Sequence, residues 1–355
     1  MSASIDFLLG PAWPWVRVLL FLGGTAAFAG LNAAYLVWCE RKIAAYVQRR
    51  PGPMEVGPQG LIQPIADAVK LLCKQLLTPP AVDTILYRIA PVAMIIPALM
   101  CFVVLPYGDA LMPTRIDLGL LVVFAFSAIN VISLMLAGWS SNNKYAIISS
   151  ARVVSQNVAY EIPMLLTIVT LILVTGTTEL GTIVGQQGGW FWNWNILRGI
   201  WTLANPLVPV SFLIFFICML AETNRAPFDL AEAESELVAG SFTEYSSMGF
   251  GLFFMAEYVN IVVGCSLATV LFLGGWHTGL GNLLDFLPAW ASALVGLGAF
   301  FVKLYALIFV VMWIRWTFPR TQFYGLLNLS WKILIPVALF TLLLSSVLVK
   351  LPNLF

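Results

Sequence analysis

Apolar runs of about twenty residues, separated by shorter polar stretches, recur along this chain and set its architecture before any other property is considered. Eight runs, at about 16–38, 85–105, 118–138, 158–176, 206–221, 248–273, 290–314 and 330–349, have the length and composition to cross the ~30 Å hydrocarbon core of a bilayer. The expected fold class is therefore all-α: a polytopic membrane protein with about eight transmembrane helices, forming one membrane domain over 1–355. The stretch 61–77 departs from this pattern. Gln63, Asp67, Lys70 and Lys74 recur there at i, i+4, i+7 and i+11, while Leu61, Ile65, Ala68, Leu72 and Leu76 take the opposite face. That spacing predicts an amphipathic helix lying in the interface or packed on the spans. It is either a plain membrane anchor or one wall of a site open to lipid, and periodicity does not choose between them. The segment Phe191–Leu203 is aromatic but short and interrupted by polar residues, so it is placed at the interface, where Trp190, Trp192, Trp194 and Trp201 fit an aromatic belt.

Composition agrees with this pattern and narrows the function. The chain is 60 % hydrophobic and only 10 % charged, against about 25 % charged in soluble domains; its mean hydropathy is +0.92. A net charge of +1 gives no reason to expect nucleic acid as a partner. The five cysteines are scattered, with no C-x-x-C and no Cys/His metal spacing, so neither a protein-held iron–sulfur cluster nor a structural zinc is expected. His277 is the only histidine and reads as an ordinary loop residue. The first run has Arg17 inside its start and ends in Glu40-Arg41-Lys42 rather than a small-residue cleavage site, so it reads as a retained span.

Charge also predicts orientation. Thirteen of the eighteen cations fall in or beside the loops that follow the odd-numbered spans, including Arg41, Lys42, Arg49, Arg50, Lys144, Arg152, Arg225, Arg315 and Arg320. Four fall on the side of the termini: Arg17, Arg115, Arg198 and Lys350. The positive-inside rule then puts the termini outside and the large loops in the cytoplasm.

Candidate chemistry gathers on the same inner side. The stretch Ala221–Ser247 (AETNRAPFDLAEAESELVAGSFTEYSS) carries Glu222, Asp229, Glu232, Glu234, Glu236 and Glu244, six of the seventeen acidic residues, with Arg225 as its only cation. Carboxylates crowded at a membrane boundary repel one another and are costly to desolvate, so they tend to hold protons. Asp229, Glu232 and Glu236 follow Pro227 at i, i+3 and i+7, on one helical face, and coupled carboxylates of this kind can pass protons. The bland alternative is a solvated acidic loop. Within or at the ends of spans lie Glu161, followed by the helix-loosening Pro163, then Glu257 and Lys303. Such residues normally face the bundle interior or water, and they pair. The first inner loop (ERKIAAYVQRRPGP, Glu40–Pro53) is basic and stiffened by proline, which fits docking of a partner, neutralising an anionic group, or simply topology-setting charge.

These stretches, together with VGPQGLIQPIADAVKLLCK (56–74), AETNRAPFDLAEAESE (221–236), FMAEYVNI (254–261), FLGGW (272–276) and WKILIP (331–336), resemble the heel-subunit family of complex I, which includes the H subunit of bacterial NADH:quinone oxidoreductase and mitochondrial subunit 1. The resemblance implies a respiratory membrane subunit that takes quinone as substrate and helps form its entrance chamber, with no redox centre of its own. Iron–sulfur clusters and any flavin would sit in hydrophilic partner subunits, and antiporter-like and small membrane subunits would lie beside it in a bacterial inner membrane. It further implies a proton path through Glu161, Glu222, Asp229, Glu232, Glu234, Glu236, Glu244 and Glu257. Arg41, Arg49, Arg50, Asp67 and Arg225 would line the quinone chamber or hold docked subunits. One departure is Thr321–Leu327, where the family usually carries an Arg and Asp-Gln-Leu-Met. The segment PFDLAEAE also resembles the membrane subunit of energy-converting [NiFe] hydrogenases, which is the alternative reading; an independent secondary transporter is a third.

Overall fold

The computed structural model describes residues 13–108, 116–202, 206–229, 237, 239–281 and 288–350. Their helices are α1 (Trp13–Val47), α2 (Gln63–Cys73), α3 (Thr84–Val104), α4 (Gly119–Ser140), α5 (Lys144–Thr175), α6 (Leu180–Gly185), α7 (Asn195–Thr202), α8 (Val208–Glu222), α9 (Ser247–Phe272), α10 (Ala289–Thr317), α11 (Phe323–Leu329) and α12 (Ile335–Lys350). A π-turn over Ser330–Leu334 joins α11 to α12. Pro336 follows that turn and has no N–H for the next helical bond, which accounts for the local widening. Seven helices are long and apolar enough to cross a membrane, with α11–α12 counted as one, and α8 is a shorter apolar helix. The chain is a multi-pass membrane protein.

Two helices outrun their apolar runs. α1 continues through Glu40-Arg41-Lys42 to Val47, so the start of the expected basic loop is helical. Hydropathy ends the span where charge begins, but Glu, Arg, Lys and Ala are good helix formers and continue the backbone pattern. α5 starts at Lys144, capped by the Asn143 side chain on the Tyr145 N–H, and stops at Gly176 with φ +72°. Its 32 residues extend about 48 Å, beyond the ~30 Å core.

α9 is the central element: 78 % of its most apolar stretch is buried, against at most 50 % for any other span. It is apolar on every side, as a helix enclosed by others should be.

Loop contacts sort into two groups, as alternating spans require. At one end the Asp83 N–H donates to Ser140 O at 3.0 Å, Asn143 donates to Glu244 at 2.7 Å, and Arg41 pairs with Asp67 at 2.8 Å. At the other end the fully buried Gln187 donates to Val270 O (2.9 Å) and accepts from the Asn195 and Gly274 N–H groups. Trp190 and Trp192 stack 5.0 Å apart there, partly exposed as an interfacial pair should be. Trp194 has a different role: Lys303 Nζ sits 4.1 Å over its ring. The side chain of Trp201 lies outside the described residues.

Lys303 belongs to this end. Its Nζ donates to the carbonyls of Leu273 (2.6 Å), Gly275 (3.1 Å) and His277 (2.6 Å), closing the turn that follows α9. A cation at the negative end of a helix is well placed. Lys303→Met is expected to strand these carbonyls and destabilise the protein by about 2–4 kcal/mol, read as a lower thermal midpoint in detergent. An unchanged midpoint would remove Lys303 from this structural role.

A buried charge line beside a broken helix

α8 has 15 residues, or about 22 Å, too short for the ~30 Å core. The backbone therefore leaves the helix while still enclosed by protein. Thr223, Asn224 and Arg225 are buried, and Asn224 adopts φ +51°. Irregular backbone at such depth survives only if its polar groups find partners. Gln156 on α5 supplies two, donating to Ala221 O (2.8 Å) and Phe228 O (2.9 Å). Thr321 supplies two more to Pro227 O, from its N–H (3.1 Å) and its hydroxyl (2.8 Å). Arg320 donates to Asp229 O. The segment that departs from the family pattern thus begins with a residue, Thr321, that holds the start of the acidic stretch at Pro227, and the preceding Arg320 holds Asp229.

Arg225 is the centre of the site. Its guanidinium pairs with Glu257 Oε2 at 3.0 Å, and both side chains are at most 4 % exposed. It also lies 4.4 Å from the Tyr258 ring centre and 5.8 Å from that of Phe254. Phe254, Glu257 and Tyr258 sit at i, i+3 and i+4, one face of α9, so a single helix supplies all three of these contacts. The Tyr258 hydroxyl donates to Glu40 Oε2 at 2.8 Å, and the other Glu40 oxygen pairs with Arg315. The result is a line of charge, Glu257–Arg225–Tyr258–Glu40–Arg315, that joins α9, the segment after α8, α1 and α10.

Beside it, Glu222 and Glu257 line one cavity of about 50 Å³ together with Ser127, Asn130, Asn157, Asn224 and Asn260. Glu222 accepts from the Ser127 hydroxyl, and Asn130 donates to Asn260 at 3.2 Å. Buried carbonyl oxygens of Asn130, Asn157 and Asn224 receive no hydrogen bond from the protein. At ~10–15 Å³ per water centre, the volume admits a few water molecules, and unpartnered acceptors are what retain them.

The remaining expected residues sit apart from this line. Glu161 is partly buried on α5 and does not line the cavity. Glu244 is held by Asn143 at the α4–α5 corner, next to Tyr245, whose ring stacks on Tyr87 at 4.2 Å. Burial pushes the Tyr245 hydroxyl up to about 12, so it stays protonated and able to donate at neutral pH. Asp229 is reached through its carbonyl by Arg320. Glu232, Glu234 and Glu236 lie outside the described residues. Arg41 pairs with Asp67, which also accepts from Gln63 at 2.9 Å, so α2 is tied to α1. Arg49 and Arg50 are exposed beyond the end of α1, Arg50 donating to Gln48 at 2.6 Å. Sequence pattern does not single out Glu40, Tyr258, Arg315 or the asparagines as site residues. The available signal is an acid and a base, Glu40 and Arg315, each closing an apolar run. Among the described residues, no group of three or more His, Cys, Asp or Glu could hold a metal ion.

The described residues define a polytopic helical membrane protein with paired charges in its core and an irregular segment after α8. The family described as NADH dehydrogenase matches residues 18–346, and the chain belongs to it. The chain is 55 % identical over 324 residues to the H subunit of NADH-quinone oxidoreductase from Desulfotalea psychrophila, covering 91 % of this chain and 94 % of that one. It is 40 % identical to the protein of the same name from Carboxydothermus hydrogenoformans, over 93 % and 88 % of the two chains. It is 41 % identical to the protein of that name from Burkholderia vietnamiensis, over 93 % and 90 %. These matches run through nearly the whole chain and do not favour the hydrogenase alternative.

Proposed function

We propose that this chain is the quinone-side, proton-coupling membrane subunit of a respiratory NADH-quinone oxidoreductase. Quinone is its substrate, entering from the bilayer past α2. Electrons arrive through hydrophilic partner subunits that hold the terminal iron–sulfur cluster and any flavin, and small and antiporter-like membrane subunits lie beside it in the bacterial inner membrane. The basic loops face the cytoplasm and the termini face outward. The observation that carries this reading is the buried charge line beside the cavity shared by Glu222 and Glu257. Reducing a quinone consumes protons and alters local charge. Paired ions linked by a tyrosine hydroxyl respond to such a change over several helices, and a hydrated carboxylate cavity gives the proton somewhere to go. Glu161, Asp229, Glu232, Glu234, Glu236 and Glu244 extend the path toward the inner face.

The test uses the native assembly, purified through a tag on this chain and reconstituted in liposomes. NADH oxidation with a short-tailed quinone should be sensitive to a quinone-site inhibitor and should acidify the lumen. Glu222→Gln is expected to lower the protons moved per quinone reduced, because the glutamine amide cannot take up and release a proton. An unchanged ratio would remove Glu222 from the path, and quinone-independent hydrogen evolution would remove the whole reading.

A further inference from the structure

α2 presents its apolar side outward. Leu61, Ile65, Val69 and Leu72 are each more than 40 % exposed, and within the helix only Pro64 is fully buried. Little core packing therefore fixes its position, which depends on polar ties. One is Arg41–Asp67 in its first half, an exposed pair of the kind that contributes roughly 0–1 kcal/mol. The other is at its C-terminal end. Ser247 Oγ lies 2.9 Å from Leu71 O and 2.7 Å from Lys74 O, carbonyls of the last turn and just beyond that α2 cannot satisfy itself. Ser246 Oγ accepts from the Leu77 N–H at 2.9 Å. One turn further along α9, a Cβ on Gly251 would lie 3.1 Å from Leu71 Cδ1, so the missing side chain makes room for the close approach of α2.

Ser247 makes these contacts at φ +55°, where a side chain is strained and glycine is the default. It is also buried. A strained non-glycine residue persists where its side chain is needed. The same segment continues back through Tyr245 and Glu244 into the acidic stretch. We propose that Ser247 is a positioning residue that fixes the C-terminal end of α2 to the segment joining the acidic stretch to α9, and that with Ser246 it sets where a long apolar tail passes. The activity readout rests on the proposed function; the positioning itself does not.

Two substitutions separate the hydroxyl from the backbone. Ser247→Gly accepts φ +55° and removes the donor. Ser247→Asn also tolerates that conformation and restores a donor through Nδ2. Cys73, the last residue of α2, is exposed, Cys39 is half-buried and Cys101, Cys218 and Cys265 are buried, so in this chain with Cys39→Ser a nitroxide on Cys73 reports on this end. In the purified assembly in liposomes, Ser247→Gly should sharpen the Cys73 spectrum. It should raise KM for a long isoprenoid-tailed quinone about fivefold, the effect of one hydrogen bond, with the short-tailed KM and kcat within about twofold. Ser247→Asn should return both readouts toward wild type, and Ser246→Ala, at an exposed bond, should give a milder version. A Cys73 spectrum unchanged in both Ser247→Gly and Ser246→Ala overturns the proposal, as does an asparagine variant that behaves like the glycine one. If the wild-type assembly reduces neither quinone, the proposed function fails, while the nitroxide spectra still decide whether the joint exists.

Discussion

Arg225→Met is expected to lower the yield of assembled protein sharply, through a destabilisation of about 3–5 kcal/mol, the loss seen when one partner leaves a buried ion pair. Glu257 is 4 % exposed on its side chain and its carboxylate has Arg225 at 3.0 Å. Without the guanidinium that charge is stranded in an apolar bundle, and the site responds by binding a proton or by opening. Arg225→Lys is not a mild change here. Lysine keeps the charge but loses the flat surface that lies against Tyr258 at 4.4 Å, so its loss should be about half that of methionine. The informative partner is the double variant Arg225→Met with Glu257→Met, which removes both charges. It should recover most of the thermal stability without recovering proton coupling. If the double variant is as unstable as Arg225→Met alone, the damage comes from the broken backbone at Thr223–Arg225 and not from a stranded carboxylate.

That pair also marks the limit of what is legible in the sequence. The spans can be read because lipid imposes a length and a composition on each: seven of the eight runs fall on helices long enough to cross, and the fifth falls on the shorter α8. α2 can be read from a spacing that separates its polar and apolar sides, and Asp67, bonded by Gln63, does pair with Arg41 of α1. Arg225 can be singled out as the one cation among acids, but its partner cannot. The neighbouring acids in the chain suggest a local counter-ion, and the structure adds a distant one, Glu257 on α9. Pairing across helices depends on rotation and depth, which a single sequence does not report. The same reason hides Glu40: it reads as loop charge until α1 is seen to continue past it as helix. Lys303 shows the converse. A lysine inside a span is expected to pair with another side chain, yet three backbone carbonyls just beyond α9 hold it. Backbone acceptors have no sequence signature, so structural uses of a charge are the easiest to miss.

Tyr258→Phe should uncouple the two ion pairs while leaving each largely intact. The hydroxyl at 2.8 Å from Glu40 is the link between them, and the ring that supports Arg225 is retained in phenylalanine. Its own cost should be about 1 kcal/mol, because Glu40 keeps Arg315. Glu40→Gln should cost more, about 2–3 kcal/mol, because it weakens the contact to Arg315 and the acceptor for Tyr258 together. Coupling can be measured directly by a cycle of Glu40→Gln and Arg225→Lys. Residues joined through one network show interaction energies of about 0.5–3 kcal/mol, and unconnected residues add. The cycle should show coupling with tyrosine at 258 and additivity with phenylalanine there. In liposomes the same Tyr258→Phe variant should reduce quinone at near wild-type rates and move fewer protons per turnover, since Glu40 would no longer be hydrogen-bonded to the ring that lies against Arg225. If coupling between positions 40 and 225 survives Tyr258→Phe, the two pairs communicate through helix packing of α1 on α9, and the tyrosine is only a contact between them.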